Sequence, residues 1–255
     1  MPPHDLLVED RGHVRCLTIN RPERANSITR DLAKRLIDAV ADAESATEVR
    51  ALMITAAGVS TFCAGADLKE LSDEATLGQP YTPILPDLYA ALVAMDKPTL
   101  AALNGTAAGG GMELALACDL RVAAAGARVG LPEIKQGLCP TFGTVALSRL
   151  MPRAVAVELL LTGDLVDVEE VARWGLVRVV PPGQLEAAVW DLASRIAAAA
   201  PLVVRKIKAL IREGTHLPLL DAMKLQVDPD IYASEDRLEG LRAWREKRPP
   251  VWRAR

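Results

Sequence analysis

Read for alternating polar and apolar positions, the chain breaks into short strands separated by longer helical runs. Val14 to Asn20 reads as a strand that Arg21-Pro22-Glu23 ends. Leu32, Leu36, Val40 and Ala43 recur at helical spacing behind a capping residue, Thr29. Arg50 to Ala57 reads as a second strand, and Gly58 to Asp67 as a loop of small residues. Leu85 to Met95, after Pro83, is a helical run, and Pro98 to Leu103 a short buried strand turned by Asn104-Gly105. Gly109-Gly110-Gly111 opens a helix that ends near Cys118, and Asp119 to Ala125 is another strand. Helices are expected at Ala154 to Leu161, Glu169 to Trp174, Leu185 to Ala199 and Leu202 to Glu213, with a strand at Val177 to Val180. The polar stretch Asp228 to Asp236 hinges a last helix, Glu235 to Lys247. Strand, loop and helix thus alternate through three-quarters of the chain, which predicts an α/β fold, and the remainder reads as helical.

Composition narrows this picture. Half of the 255 residues are hydrophobic but only 4% are aromatic, so alanine, leucine and valine fill the core. A net charge of -3 gives no basic face for nucleic acid. Cys16, Cys63, Cys118 and Cys139 form no CxxC, which suits a reduced, cytoplasmic setting without zinc or a disulfide framework. The first ten residues carry no basic segment followed by an apolar one, so no leader peptide is expected. The longest apolar stretch, Ile196 to Val204, is too short for a membrane span and contains Pro201.

Three places carry candidate chemistry. In Pro98 to Glu113 a buried strand runs into glycines and the glycines into a helix. Glycine admits close backbone approach, and the first N–H groups of a helix lack intrahelical partners at its positive end, so this arrangement can hold negative charge on a carbonyl oxygen. The same glycines equally suit a tight turn. Thr61 to Glu70 (TFCAGADLKE) offers a second backbone donor, or an ordinary loop capped by Asp67. Glu113 and Glu133 form the third: two carboxylates in one cleft divide acid and base work when their environments separate their pKa values. Alone, Glu113 complements a helix dipole and Glu133 is a solvated loop acid.

Together these segments resemble the crotonase superfamily, the enoyl-CoA hydratase/isomerase group. The resemblance rests on TFCAGADLKE, NGTAAGGGMELALACD and GLPEIKQGLCP in that order. It extends to Leu17 through Glu23, Leu161-Thr162-Gly163, Trp174 through Val177, Ala200-Pro201-Leu202, and Ser234 through Pro249. It implies a spiral of ββα units over residues 1–190 and a C-terminal helical oligomerisation region over 191–255, assembling as a homotrimer or homohexamer. It also implies an oxyanion hole from the Ala66 and Gly110 amides, with Glu113 as base and Glu133 as acid. The substrate would be an acyl-CoA thioester, bringing coenzyme A as its own handle, with no tightly bound cofactor and no metal. Ala64, Ala66, Asp67, Leu68, Lys69, Gly109 and Pro132 would line its path and Arg24 would reach a phosphate. Trp244 and Lys247 match positions that touch the cofactor of a neighbouring subunit. Hydration leads, with double-bond isomerisation or dehydration of a hydroxyacyl thioester as alternatives, and an idle or RNA-binding relative from another class. One departure concerns the acyl pocket: where many of these hydratases have a second glycine-rich turn, this chain reads Cys139 through Thr144. His4, His13 and His216 sit in no nucleophile or metal context, and there is no GxSxG, HExxH or P-loop.

Overall fold

The computed structural model describes residues 5–70, 72 and 84–255; Pro83 and His4 lie outside the described residues. A six-stranded sheet carries most of the chain. Its strands are β1 (Leu6–Arg11), β2 (Val14–Ile19), β3 (Ala51–Ala56), β5 (Thr99–Leu103), β7 (Leu120–Ala124) and β10 (Arg178–Val180), in that spatial order. Only β1 against β2 is antiparallel. A smaller sheet orders β4 (Thr61–Cys63), β6 (Thr106–Ala108), β8 (Arg128–Gly130) and β9 (Val166–Asp167).

The topology explains the spiral. Each of β3, β5 and β7 is followed within a few residues by β4, β6 or β8, which moves the chain into the second sheet before a helix returns it. Three turns of one ββα unit therefore stack strand on strand in both sheets. The short strands β4, β6 and β8, and the edge strand β1, went unread in the sequence. The first three have three residues each and are held by register with their neighbours, too short to show a period. β1 is an edge strand with one buried residue, so its pattern shows no apolar face.

The central strands β2, β3 and β5 of the large sheet are buried on both faces, and they show this residue by residue. Leu17, Ile19, Leu52, Ile54, Ala101 and Leu103 join the core beneath the second sheet and helices, while Cys16, Met53, Leu100, Ala102 and Val122 join a smaller core on the other face. Such two-sided burial is why β5 reads as a continuous apolar run. Helix α1 (Arg30–Ser45) is capped by the Thr29 side chain on the Leu32 N–H and buries Leu32, Leu36, Val40 and Ala43, the stripe read from its spacing.

Helices α2 (Leu85–Ala94), α3 (Gly110–Ala117), α4 (Thr141–Leu150), α5 (Arg153–Thr162) and α6 (Val168–Ala172) follow. The sequence reading contained no α4, because only Gly143 and Leu147 of its ten residues are buried. Helix α7 (Leu185–Ala197) runs across residue 190 and packs Val189, Ala193 and Ala197 on the outer sheet face. Beyond it the described chain is helical: α8 (Pro201–Gly214), α9 (Leu219–Ala222) and α10 (Glu235–Glu246). No single helix among the described residues is long and apolar enough to cross a membrane.

Candidate active site

The site forms where the turns of the spiral converge on the start of α3. Gly65, at φ 94°, backs directly onto that helix: a Cβ on it would stand 2.7 Å from the Gly110 nitrogen. Only glycine permits both that conformation and that approach. Ala66 pairs with Ile28 as an isolated parallel bridge, in which the Ile28 N–H bonds the Gly65 carbonyl and the Asp67 N–H bonds the Ile28 carbonyl. Its neighbours make both bonds, so the Ala66 N–H points away from Ile28. Gly110 is the first residue of α3, where an N–H has no intrahelical acceptor. Two backbone donors thus stand on adjoining peptides at a helix N-terminus.

A polar scaffold holds the Ala66 loop. Asn26, 1% exposed, donates to the Ala57 and Thr61 carbonyls at 3.0 and 2.7 Å and accepts from the Arg21 N–H. Arg21 bonds one Asp67 oxygen through two nitrogens at 3.2 Å, and Ser27 donates to the same oxygen. Burial pushes the Asp67 carboxyl up, but these bonds and the Lys69 N–H outweigh it and hold the group below the ordinary range. Asp67 therefore fixes the loop with its side chain. The Arg21 and Asn26 contributions went unread, although Arg21 lies inside the resembling stretch; nothing local distinguishes an Asn buried under a loop from one exposed on it.

Glu113 is buried in the first turn of α3. The Gly143 N–H at the start of α4 donates to its Oε1 at 2.7 Å. Burial raises its pKa, opposed by the Gly143 amide, the Tyr89 hydroxyl and the Phe142 amide. The turn at Cys139 through Thr144, with Gly143 as its single glycine, therefore opens α4 and places the Gly143 amide on Glu113.

Glu133 follows Pro132 in a 3-10 turn, Pro132–Gln136, that a Lys135–Asp164 ion pair of 2.6 Å and close packing of Ile134 against Gly163 tie to the end of α5. Its carboxyl abuts the backbone of Gly109: a Cβ there would lie 3.0 Å from Oε1. Gly109 has φ 54° and ψ -132°, a conformation open to glycine alone. The other oxygen, Oε2, is buried without a hydrogen-bond partner among the described residues. Burial first, and then the nearby Glu113 charge, raise the Glu133 pKa to about 7 against the pull of its own amide. A buried carboxyl oxygen without a partner is costly unless something else bonds it.

The structure gathers Ala64, Gly109, Pro132 and the 66–69 segment around these groups. Leu68 and Lys69 are exposed, and Arg24 lies exposed in the turn whose Ala25 carbonyl accepts the Ala64 N–H. Trp244, 81% exposed, and Lys247 stand on and just after α10, whose contacts are with the 231–233 turn and the C-terminal segment; they do not join this cluster within one chain. Among the described residues no group of three or more His, Cys, Asp and Glu is arranged to hold a metal ion.

The fold, two sheets stacked by repeated ββα turns, is a crotonase-type α/β spiral. The sequence pattern of the enoyl-CoA hydratase/isomerase family matches residues 9–255. The chain is 38% identical to an (E)-benzylidenesuccinyl-CoA hydratase of Thauera aromatica, over 97% of this chain and 98% of that one. It is 34% identical to a short-chain-enoyl-CoA hydratase of Clostridium acetobutylicum, over 97% of each. The crystal structure of an enoyl-CoA hydratase from Bacillus anthracis superposes with a TM-score of 0.91 at 33% identity, covering 99% of this chain and 100% of that one. The chain belongs to the enoyl-CoA hydratase/isomerase family and is an enzyme of the crotonase superfamily.

Proposed function

We propose that the protein hydrates a 2-enoyl-CoA thioester, adding water across the 2,3-double bond. The observation that carries this reading is the pair of carboxylates with opposed surroundings. Glu113 accepts the Gly143 amide at 2.7 Å, and the Phe142 amide adds to the pull toward its anion, whereas Glu133 has one buried oxygen without a partner among the described residues and a pKa raised to about 7. That asymmetry suits an ionised base and a protonated acid at neutral pH.

The thioester carbonyl accepts from the Ala66 and Gly110 N–H groups, which lie on adjoining backbone. Glu113 takes a proton from water as its oxygen bonds C3. Electrons move through C2 to the thioester oxygen, where two preorganised donors meet the charge, a contribution of about 10²–10³ in rate per donor in comparable sites. The enolate then returns its electrons to C2, which takes the proton of Glu133, and the glutamates recover their starting protonation through solvent. Coenzyme A belongs to the substrate in this scheme, running along Ala64 to Lys69 with Arg24 toward a phosphate. Assembly as a trimer or hexamer would let Trp244 and Lys247 meet the coenzyme A of a neighbouring subunit. No cofactor or metal enters any step.

The test is the loss of conjugated-thioester absorbance when purified protein meets crotonyl-CoA, with Glu113→Gln and Glu133→Gln alongside. Hydration by the wild type, lost in both variants, supports the proposal. Binding that leaves the double bond untouched would turn the reading to isomerisation or to a bulkier acyl group.

A further inference from the structure

Tyr89 is the largest fully buried side chain among the described residues, 1% exposed, on α2. Its place in the stripe Leu85, Leu88, Tyr89 and Leu92 explains the ring, but a phenylalanine would fill the same volume. A buried hydroxyl is kept at a cost unless it is bonded. This one donates to the Gly110 carbonyl at 2.9 Å, and it lies near enough to the Glu113 carboxyl to pull that group's pKa down. The hydroxyl also lies 2.9 Å from where a Gly110 Cβ would sit, closing that side of the glycine together with Leu85. The ring packs on Phe142 with centroids 5.1 Å apart; the next residue's amide, Gly143, bonds Glu113, and the Phe142 amide itself helps to lower the Glu113 pKa. One side chain therefore bonds the residue whose N–H is one proposed oxyanion donor, lies beside the proposed base, and packs on the helix start that holds that base.

Resting on the reading of Glu113 and Gly110 given above, we propose that Tyr89 is a positioning residue of the reaction, its single hydroxyl proton shared between the Gly110 carbonyl and the Glu113 carboxylate. While Glu113 is ionised the hydroxyl favours the carboxylate, because a bond to an anion is the stronger one. Once Glu113 has taken the water proton, the hydroxyl turns to the Gly110 carbonyl. The switch holds Glu113 ready without competing for it after transfer.

The titratable groups bearing on this pair are few. Glu133 comes from the 3-10 turn and Cys63 from β4, its thiol pushed up to about 12 by burial and so neutral. Strands β5 and β6 contribute no ionisable side chain, and Asp87 of α2 and Arg149 of α4 are exposed. Burial foremost, then the neighbouring carboxylates, keep Tyr89 itself a neutral phenol.

The experiment is an infrared pH titration of the Glu113 carboxyl in unliganded protein, the band being assigned by its loss in Glu113→Gln, compared between wild type and Tyr89→Phe. Removing a donor to the anion raises the Glu113 pKa, so the band titrates at higher pH in Tyr89→Phe. With crotonyl-CoA, kcat falls about tenfold, the size of one hydrogen bond, KM changes less than twofold, and the acidic limb of the rate profile moves up in pH. An unmoved Glu113 band overturns the proposal. A moved band in a protein that leaves crotonyl-CoA unhydrated sustains the coupling and counts against the hydratase reading instead.

Discussion

Glu113 and Glu133 are the same side chain in two regions solved differently. The first stands on a regular helix start and faces a second helix start, so amides supply the hydrogen bonds its anion lost on burial. The second stands on an irregular turn, pressed against a glycine that has no side chain, and one oxygen is left without a partner among the described residues. Burial acts on both, yet only Glu133 is carried to about 7. Hydrogen-bond supply, more than depth, separates an acid from a base here.

Breaking either side of the contrast has the largest effect. Glu113→Gln and Glu133→Gln should each lower kcat on crotonyl-CoA by about 10²–10⁴, the usual worth of an acid–base group. The wild-type rate profile should then resolve the two roles. kcat/KM reports the free enzyme, so its alkaline limb falls about tenfold per pH unit above an apparent pKa near 7, where Glu133 loses its proton. Gly109→Ala is subtler. Its Cβ would meet Glu133 at 3.0 Å in a backbone conformation costing about 1–3 kcal/mol, so both unfolding midpoint and activity drop while Glu113 keeps its Gly143 bond.

The smallest effect has the opposite sign. The Glu133 pKa is raised in the folded state, so folding retains a proton that the unfolded chain releases between about 4.5 and about 7. Stability declines as pH rises through that window. Glu133→Gln has no charge to bury, so its thermal midpoint should match the wild type near pH 4 and exceed it above pH 7. A midpoint difference that does not depend on pH would detach the burial cost from the Glu133 charge.

Much of this was legible before any coordinates. The period of Leu32, Leu36, Val40 and Ala43 reported a buried helix face, and the alternating strands and glycines reported the framework around Gly110. What stayed hidden depends on partners distant in sequence. β4, β6 and β8 exist because each lies beside the next, and three residues carry no pattern of their own. Tyr89 reads as one more member of an apolar stripe until Gly110 and Glu113 are brought to its hydroxyl. The turn after Glu133 was noticed for its missing glycines, but its service to Glu113 through the Gly143 amide depends on where α4 begins.

The central claim is that Glu133 keeps its proton well above the ordinary carboxylate range in the resting protein. Carboxyl infrared titration of wild type against Glu133→Gln tests it without any substrate. The account predicts a band that ionises with an apparent pKa near 7 and disappears in the variant. A Glu133 band that ionises in the ordinary carboxylate range, together with the surface acids, would contradict it.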